Sequence, residues 1–133
     1  MTDILELVID GPPVVWRAPY VGSHGAFSTK HGEKRIIQSM IREMYKGPIL
    51  LNDLRCKCVF YIQIPKSSSK KKQQLMLEGA IRPRGGGDLT NLRKWIEDCL
   101  QGIVIDNDNQ IVEGDTQKWY SFSPRTMIHL SAV

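Results

Sequence analysis

Residues 88–110 read Asp88-Leu89-Thr90-Asn91-Leu92-Arg93-Lys94-Trp95-Ile96-Glu97-Asp98-Cys99-Leu100-Gln101-Gly102-Ile103-Val104-Ile105-Asp106-Asn107-Asp108-Asn109-Gln110. Leu89, Leu92, Ile96 and Cys99, with Leu100, recur at helical steps, so the spacing predicts an amphipathic helix over 89–101 that Gly102 stops. Asp88 takes the N-cap position. Asp88, Asn91, Lys94 and Asp98 follow at steps of three, three and four and form a polar stripe opposite the apolar one. Lys94 with Asp98 is also an i, i+4 pair of the kind that stabilises a plain surface helix. Beyond Gly102 the pattern predicts a strand or turn at 103–105, a polar turn at 106–109 and a strand over 110–120.

Toward the N-terminus, residues 4–9 read as a strand ended by Asp10-Gly11-Pro12-Pro13, because consecutive prolines cannot continue a ladder. Residues 13–30 mix glycine, proline and serine with Trp16, Tyr20 and Phe27, as an irregular, partly packed and mobile loop does. Ile36, Ile37, Met40, Ile41 and Met44 predict a helix over 33–45, stopped at Gly47-Pro48. Residues 55–64 are rich in β-branched and aromatic side chains and predict a central strand, which Pro65 ends. Ser67-Ser68-Ser69 offers N-caps for a short helix that Gly79 closes, and residues 126–130 read as the last strand. The expected fold is α+β: a small mixed β-sheet packed with two to three helices, in one domain spanning residues 1–133.

The chain has 133 residues, 41% of them apolar and 24% charged, enough hydrophobic material for one core and too much for whole-chain disorder. No stretch approaches a membrane span and residues 1–13 lack the layout of a signal peptide, so a cytoplasmic protein without membrane partners is expected. Cys56, Cys58 and Cys99 are too few for a disulfide scaffold, and no second Cys or His pair completes a zinc set; buried thiols are expected. The net charge of +4 is uneven: residues 1–87 hold fourteen Lys and Arg against seven Asp and Glu, and residues 88–133 hold four against seven. A basic surface beside an acidic region suits a protein that holds a polyanion and a divalent ion, although solvated surfaces also show such imbalance.

Lys70, Lys71 and Lys72 sit in a helix's first turn, against its dipole, and read either as a solvated turn or as an anion contact. Asp106-Asn107-Asp108-Asn109 is not a calcium loop, since Ile111 stands where glycine and Gln117 where glutamate is needed. If the Gly102 turn folds this segment back, Asp108 faces Asp88 and the two offer hard oxygen ligands to Mg²⁺, with Lys94 neutralising charge on a phosphate. His24, His31 and His129 are scattered and read as surface or packing residues, and Gly85-Gly86-Gly87 as a flexible connector.

Pro65-Lys66-Ser67-Ser68-Ser69-Lys70-Lys71-Lys72, then Gly79, Asp88-Leu89-Thr90-Asn91-Leu92-Arg93-Lys94 through Asp98, and Gly102-Ile103-Val104 with Asp108-Asn109-Gln110-Ile111 resemble, in order and spacing, the RusA family of Holliday junction resolvases. The resemblance extends to Gly11-Pro12-Pro13 and covers nearly the whole chain. It implies a homodimeric, Mg²⁺-dependent endodeoxyribonuclease, with Mn²⁺ able to substitute and no organic cofactor. Such an enzyme binds four-way DNA junctions and cuts two opposed strands symmetrically in recombination and repair. It places the catalytic residues at Asp88, Asn91, Lys94 and Asp108, and the metal at Asp88 and Asp108, with Asp106, Thr90 and Asp98 as further candidates. DNA contacts fall on Lys66, Lys70, Lys71, Lys72, Arg82 and Arg84.

Thr90 stands where the family typically has a second carboxylate, and a neutral hydroxyl binds Mg²⁺ less tightly. A branched-DNA-binding module that does not cut is therefore the alternative reading. An RNA-binding domain is a weaker third option, because Trp16, Tyr20 and Phe27 lack the spacing of an RNA-recognition motif.

Overall fold

The computed structural model describes residues 3–14, 20–22, 25–27 and 31–133. Its elements are β1 (Asp3–Asp10), β2 (Tyr20–Gly22), β3 (Gly25–Phe27), α1 (His31–Met44), β4 (Leu54–Gln63), α2 (Lys70–Leu77), α3 (Leu89–Leu100), β5 (Ile111–Glu113), β6 (Thr116–Ser121) and β7 (Arg125–Ala132), with a 3-10 turn at Asp108–Gln110. One mixed sheet holds five strands: β7 lies antiparallel between β1 and β4, while β5 and β6 pair in succession, both parallel, with β4. Parallel neighbours need a crossover, and the segment carrying α2 and α3 supplies it. The α+β expectation holds. In the region expected to be a mobile loop, β2 and β3 form a small hairpin; Trp16 and His24, and with them that expectation, lie outside the described residues.

Alternation along the strands sends Leu7 and Ile9, Cys56, Cys58 and Phe60, and Ile128 and Leu130 to one buried face. Ile41 of α1 and Leu92, Trp95, Ile96, Cys99 and Leu100 of α3 complete the same core. The three cysteines are buried and free, as expected. Burial pushes the Cys99 thiol up to about 12, so it stays protonated in the fold. Cys56 and Cys58 share a face with their sulfurs 3.7 Å apart. His129 is half-buried on the opposite face, where it borders a shallow cavity with Glu6, Lys57 and Met127. Among the described residues no helix is long and apolar enough to cross a membrane.

Two predicted patterns are corrected, and the choice left open at 103–105 is decided. The apolar stripe of α1 is narrower than its sequence: Ile37, Met40 and Ile41 pack on the core, whereas Ile36 is 64% exposed. Residues 103–105, expected as a strand or a turn, form a turn, held by N–H groups of Ile103, Val104 and Ile105 donating to the Leu100 carbonyl. The single strand predicted over 110–120 is two, β5 and β6, separated at Gly114-Asp115, and the backbone at Gly114 passes so close to β4 that a side chain there would not fit.

Candidate active-site cleft

Thr90, Arg93, Lys94 and Glu97 stand three, four and seven residues apart on α3 and so share one face. With Leu89 they line a cleft of about 360 Å³ whose remaining wall is Asp108 and Thr116. This corrects the stripe read from the sequence. The core-facing side of α3 runs through Leu92, Ile96 and Cys99, and the side that borders the cleft runs through Thr90, Lys94 and Glu97. Asn91 and Asp98 are half-buried and lie outside the cleft wall, and Leu89, expected in the core, is 39% exposed at its edge. Asp88 is at the N-cap position as expected, but its side chain makes no capping hydrogen bond; it precedes Leu89 with its carboxylate exposed.

Asp108 reaches the cleft because the acidic turn is knotted to the rest of the fold. Gln110 is buried, and its amide nitrogen donates to the carbonyls of Leu50 and Asn52 at 2.9 and 3.0 Å. Its amide oxygen accepts the backbone N–H groups of Asp106 and Asn107 at 2.8 and 2.9 Å. Asn107 caps the following 3-10 turn. The N–H of Asp108 donates to Gln101 Oε1 at 3.1 Å, and Gln101 Nε2 in turn donates to Asp98 Oδ1 at 3.5 Å. Asp98 thus acts on the turn through Gln101, while the Asp106 side chain is exposed and outside the cleft.

Arg93 joins the two walls. Its Nε donates to Glu97 Oε1 at 2.8 Å, Nη1 to Thr116 Oγ1 at 2.6 Å and to the Asp115 carbonyl at 3.3 Å, and Nη2 to the Cys56 carbonyl at 3.0 Å. Burial alone would lower its pKa; the bond to Glu97 and the neighbouring cysteines outweigh that and hold it above the ordinary value. Replacing Arg93 with Ala strands several part-buried acceptors, and urea unfolding is expected to show a loss of about 2–4 kcal/mol. Arg93→Lys keeps the charge without the planar fork and is expected to recover less than half of that loss. Sequence reasoning missed Arg93, Glu97 and Thr116. The 90-93-94-97 spacing was a signal for the first two, and nothing local marked Thr116.

Among the described residues no three His, Cys, Asp or Glu side chains converge as a metal cluster. The cleft itself offers the carboxylates of Asp108 and Glu97, the latter engaged by Arg93, and the Thr90 hydroxyl. Away from it, Lys66, Lys70, Lys71 and Lys72 are exposed, and Ser69 caps α2 by accepting the Lys72 N–H at 3.2 Å. The Arg82 guanidinium lies 3.5 Å over the Trp119 ring, and its Nε donates to the Lys118 carbonyl. Arg84 is exposed, and Lys118 Nζ donates to the carbonyls of Arg84 and Gly87, which ties the connector expected to be flexible onto β6.

The family model for the endodeoxyribonuclease RusA matches residues 11–131. The chain belongs to the RusA endodeoxyribonuclease family. The chain is also similar to the uncharacterized protein YqaN of Bacillus subtilis (strain 168), 33% identical over 75 residues, a match covering 55% of this chain and 53% of that protein. The chain thus matches about half the length of that curated relative. Lys94, Asp108 and Thr90 all line the cleft, and Asp88 is the residue before Leu89 at its edge.

Proposed function

We propose that this protein is a Mg²⁺-dependent endodeoxyribonuclease that binds four-way DNA junctions and cuts two opposed strands, acting as a homodimer in recombination and repair. The observation that carries the reading is the single cleft shared by Lys94 and Asp108 in a chain of the RusA family. Mg²⁺ needs only one or two carboxylates beside water and substrate phosphate, so the hard oxygen donors here suit it without a three-acid cluster. Asp108 and Asp88 would hold the ion, with Thr90 as a neutral oxygen beside them. When bound, it supplies a Lewis acid for the phosphodiester and a more acidic water, and Mn²⁺ can do the same.

The remaining work falls to the chain. Lys94 neutralises charge on the scissile phosphate, and Asn91, the helix residue after Thr90, orients the site. Glu97, held by Arg93, lines the same cleft. Lys66, Lys70, Lys71, Lys72 and Arg84 contact phosphates away from the cleft, and Arg82 adds the nitrogens left free by its stack on Trp119. A junction with approximate two-fold symmetry is met by a two-fold dimer, which sets one cleft on each of two opposed strands.

A synthetic four-way junction incubated with Mg²⁺ or Mn²⁺ tests the reading: paired nicks in opposed strands are expected. Tight binding without metal-dependent nicks would instead establish the non-cutting module that Thr90 favours. Lys70→Ala is expected to weaken binding most at low salt and to reduce the slope of log affinity against log salt by about 1, measured by fluorescence anisotropy.

A further inference from the structure

The turn between β6 and β7 holds Phe122 in water, 54% exposed, on backbone that is unusually well braced for a surface turn. The Ser123 N–H donates to Ser121 Oγ at 3.0 Å, and Arg125 Nη1 donates to Ser121 Oγ and to the Ser123 carbonyl at 3.2 and 2.8 Å. Arg125 itself lies 3.9 Å over the Tyr61 ring. From outside the turn, the N–H groups of Gly11 and Ile64 donate to the carbonyls of Pro124 and Ser121. Four segments therefore brace the backbone that carries a ring the core does not use.

Its neighbourhood is cationic. Lys66 leaves the end of β4 two residues after Ile64, Arg82 is stacked on Trp119 three residues before Phe122, and α2, with Lys70, Lys71 and Lys72, packs against β6. Among the described residues, acids on this side include Asp10, which lies opposite Arg125 in the ladder, and Glu78, which caps α2. From Thr116 in the cleft to Phe122 is six residues of extended chain, roughly 20 Å, or about six base steps of duplex.

We propose that Phe122 is a stacking wedge that receives an unpaired base at the branch point of the DNA, while the surrounding cations hold the phosphates. The inference rests on the branched-DNA reading above and specifies how branched DNA is told from linear duplex. An aromatic face stacks on any base, so the wedge selects structure and not sequence. Phe122 is a DNA-contacting residue and lies outside the cleft that cuts.

A four-way junction carrying 2-aminopurine at its centre tests the proposal with the full chain and without metal. Wild type is expected to raise the fluorescence on binding, Phe122→Ala to abolish the rise and lower junction affinity about 10-fold, and Phe122→Trp to retain both. Affinity for linear duplex is expected to change less than about 2-fold in either variant, which also serves as the folding control. If Phe122→Ala binds the junction as wild type does and gives the same fluorescence rise, the wedge is wrong and the branched-DNA reading stands. If wild type does not prefer the junction over linear duplex, that reading fails and the wedge with it.

Discussion

Asp108→Asn is expected to slow metal-dependent junction cleavage on the order of 10³-fold, the scale of losing one strong electrostatic contact at a transition state, while junction affinity stays within about 2-fold. The substitution is isosteric and removes one charge from the cleft wall. It spares the turn, because the turn is held through backbone groups: the Asp108 N–H on Gln101 and the two N–H groups received by Gln110. Single-turnover cleavage and a gel-shift titration with Ca²⁺ in place of Mg²⁺ separate the two effects. Asp88→Asn is expected to behave likewise, whereas Asp98→Asn, which touches the turn only through Gln101, is expected to cost less than about 10-fold. An unchanged rate for Asp108→Asn would show that the metal is held elsewhere.

The largest effect on stability is expected at Gly114. Its φ is +141°, outside the range of L side chains, and a Cβ there would lie 1.8 Å from the Cys56 carbonyl oxygen. That oxygen belongs to the central strand and also accepts Arg93 Nη2, so neither partner can withdraw without opening the sheet or the cleft wall. Strained backbone costs about 1–3 kcal/mol and overpacking a similar amount, so Gly114→Ala is expected to lose about 2–6 kcal/mol. In a domain stable by roughly 5–15 kcal/mol, that is enough to leave part of the chain unfolded at 37 °C. Urea denaturation followed by circular dichroism measures it. Gly85→Ala, where a methyl group meets nothing within 4 Å, is the control and is expected to be near neutral. Equal stabilities for the two variants would mean that β4 and the Gly114 turn are not packed as described.

The parts of this fold that were legible in the sequence are those set by local period. The buried stripe of α3, the buried alternation of β4 and the caps around α2 each follow from residues within a few positions of one another. Ile36 misled because the repeat on α1 does not say how much of a helix's apolar side its neighbours cover. The break at Gly114 was invisible because its cause is the Cys56 carbonyl, 58 residues away. In the cleft, Lys94 and Asp108 were legible as chemistry but not as neighbours. What brings Asp108 in is Gln110 bonding to residues 50 and 52, a contact with no local trace. Arg93 and Glu97 look in sequence like an ordinary surface pair, and only the position of β6 gives them a second wall to hold.

The place of β7 between β1 and β4 has a consequence for biosynthesis. β1 leaves the ribosome before the other strands of its sheet, yet its ladder partner is residues 125–132, so it waits for more than 110 further residues to be translated. Until then its apolar residues Leu7 and Ile9 have no sheet to join, and the nascent chain offers chaperones an unpaired edge. A sheet closed by so distant a pairing also folds slowly for its size, since loop closure must precede the contacts that reward it.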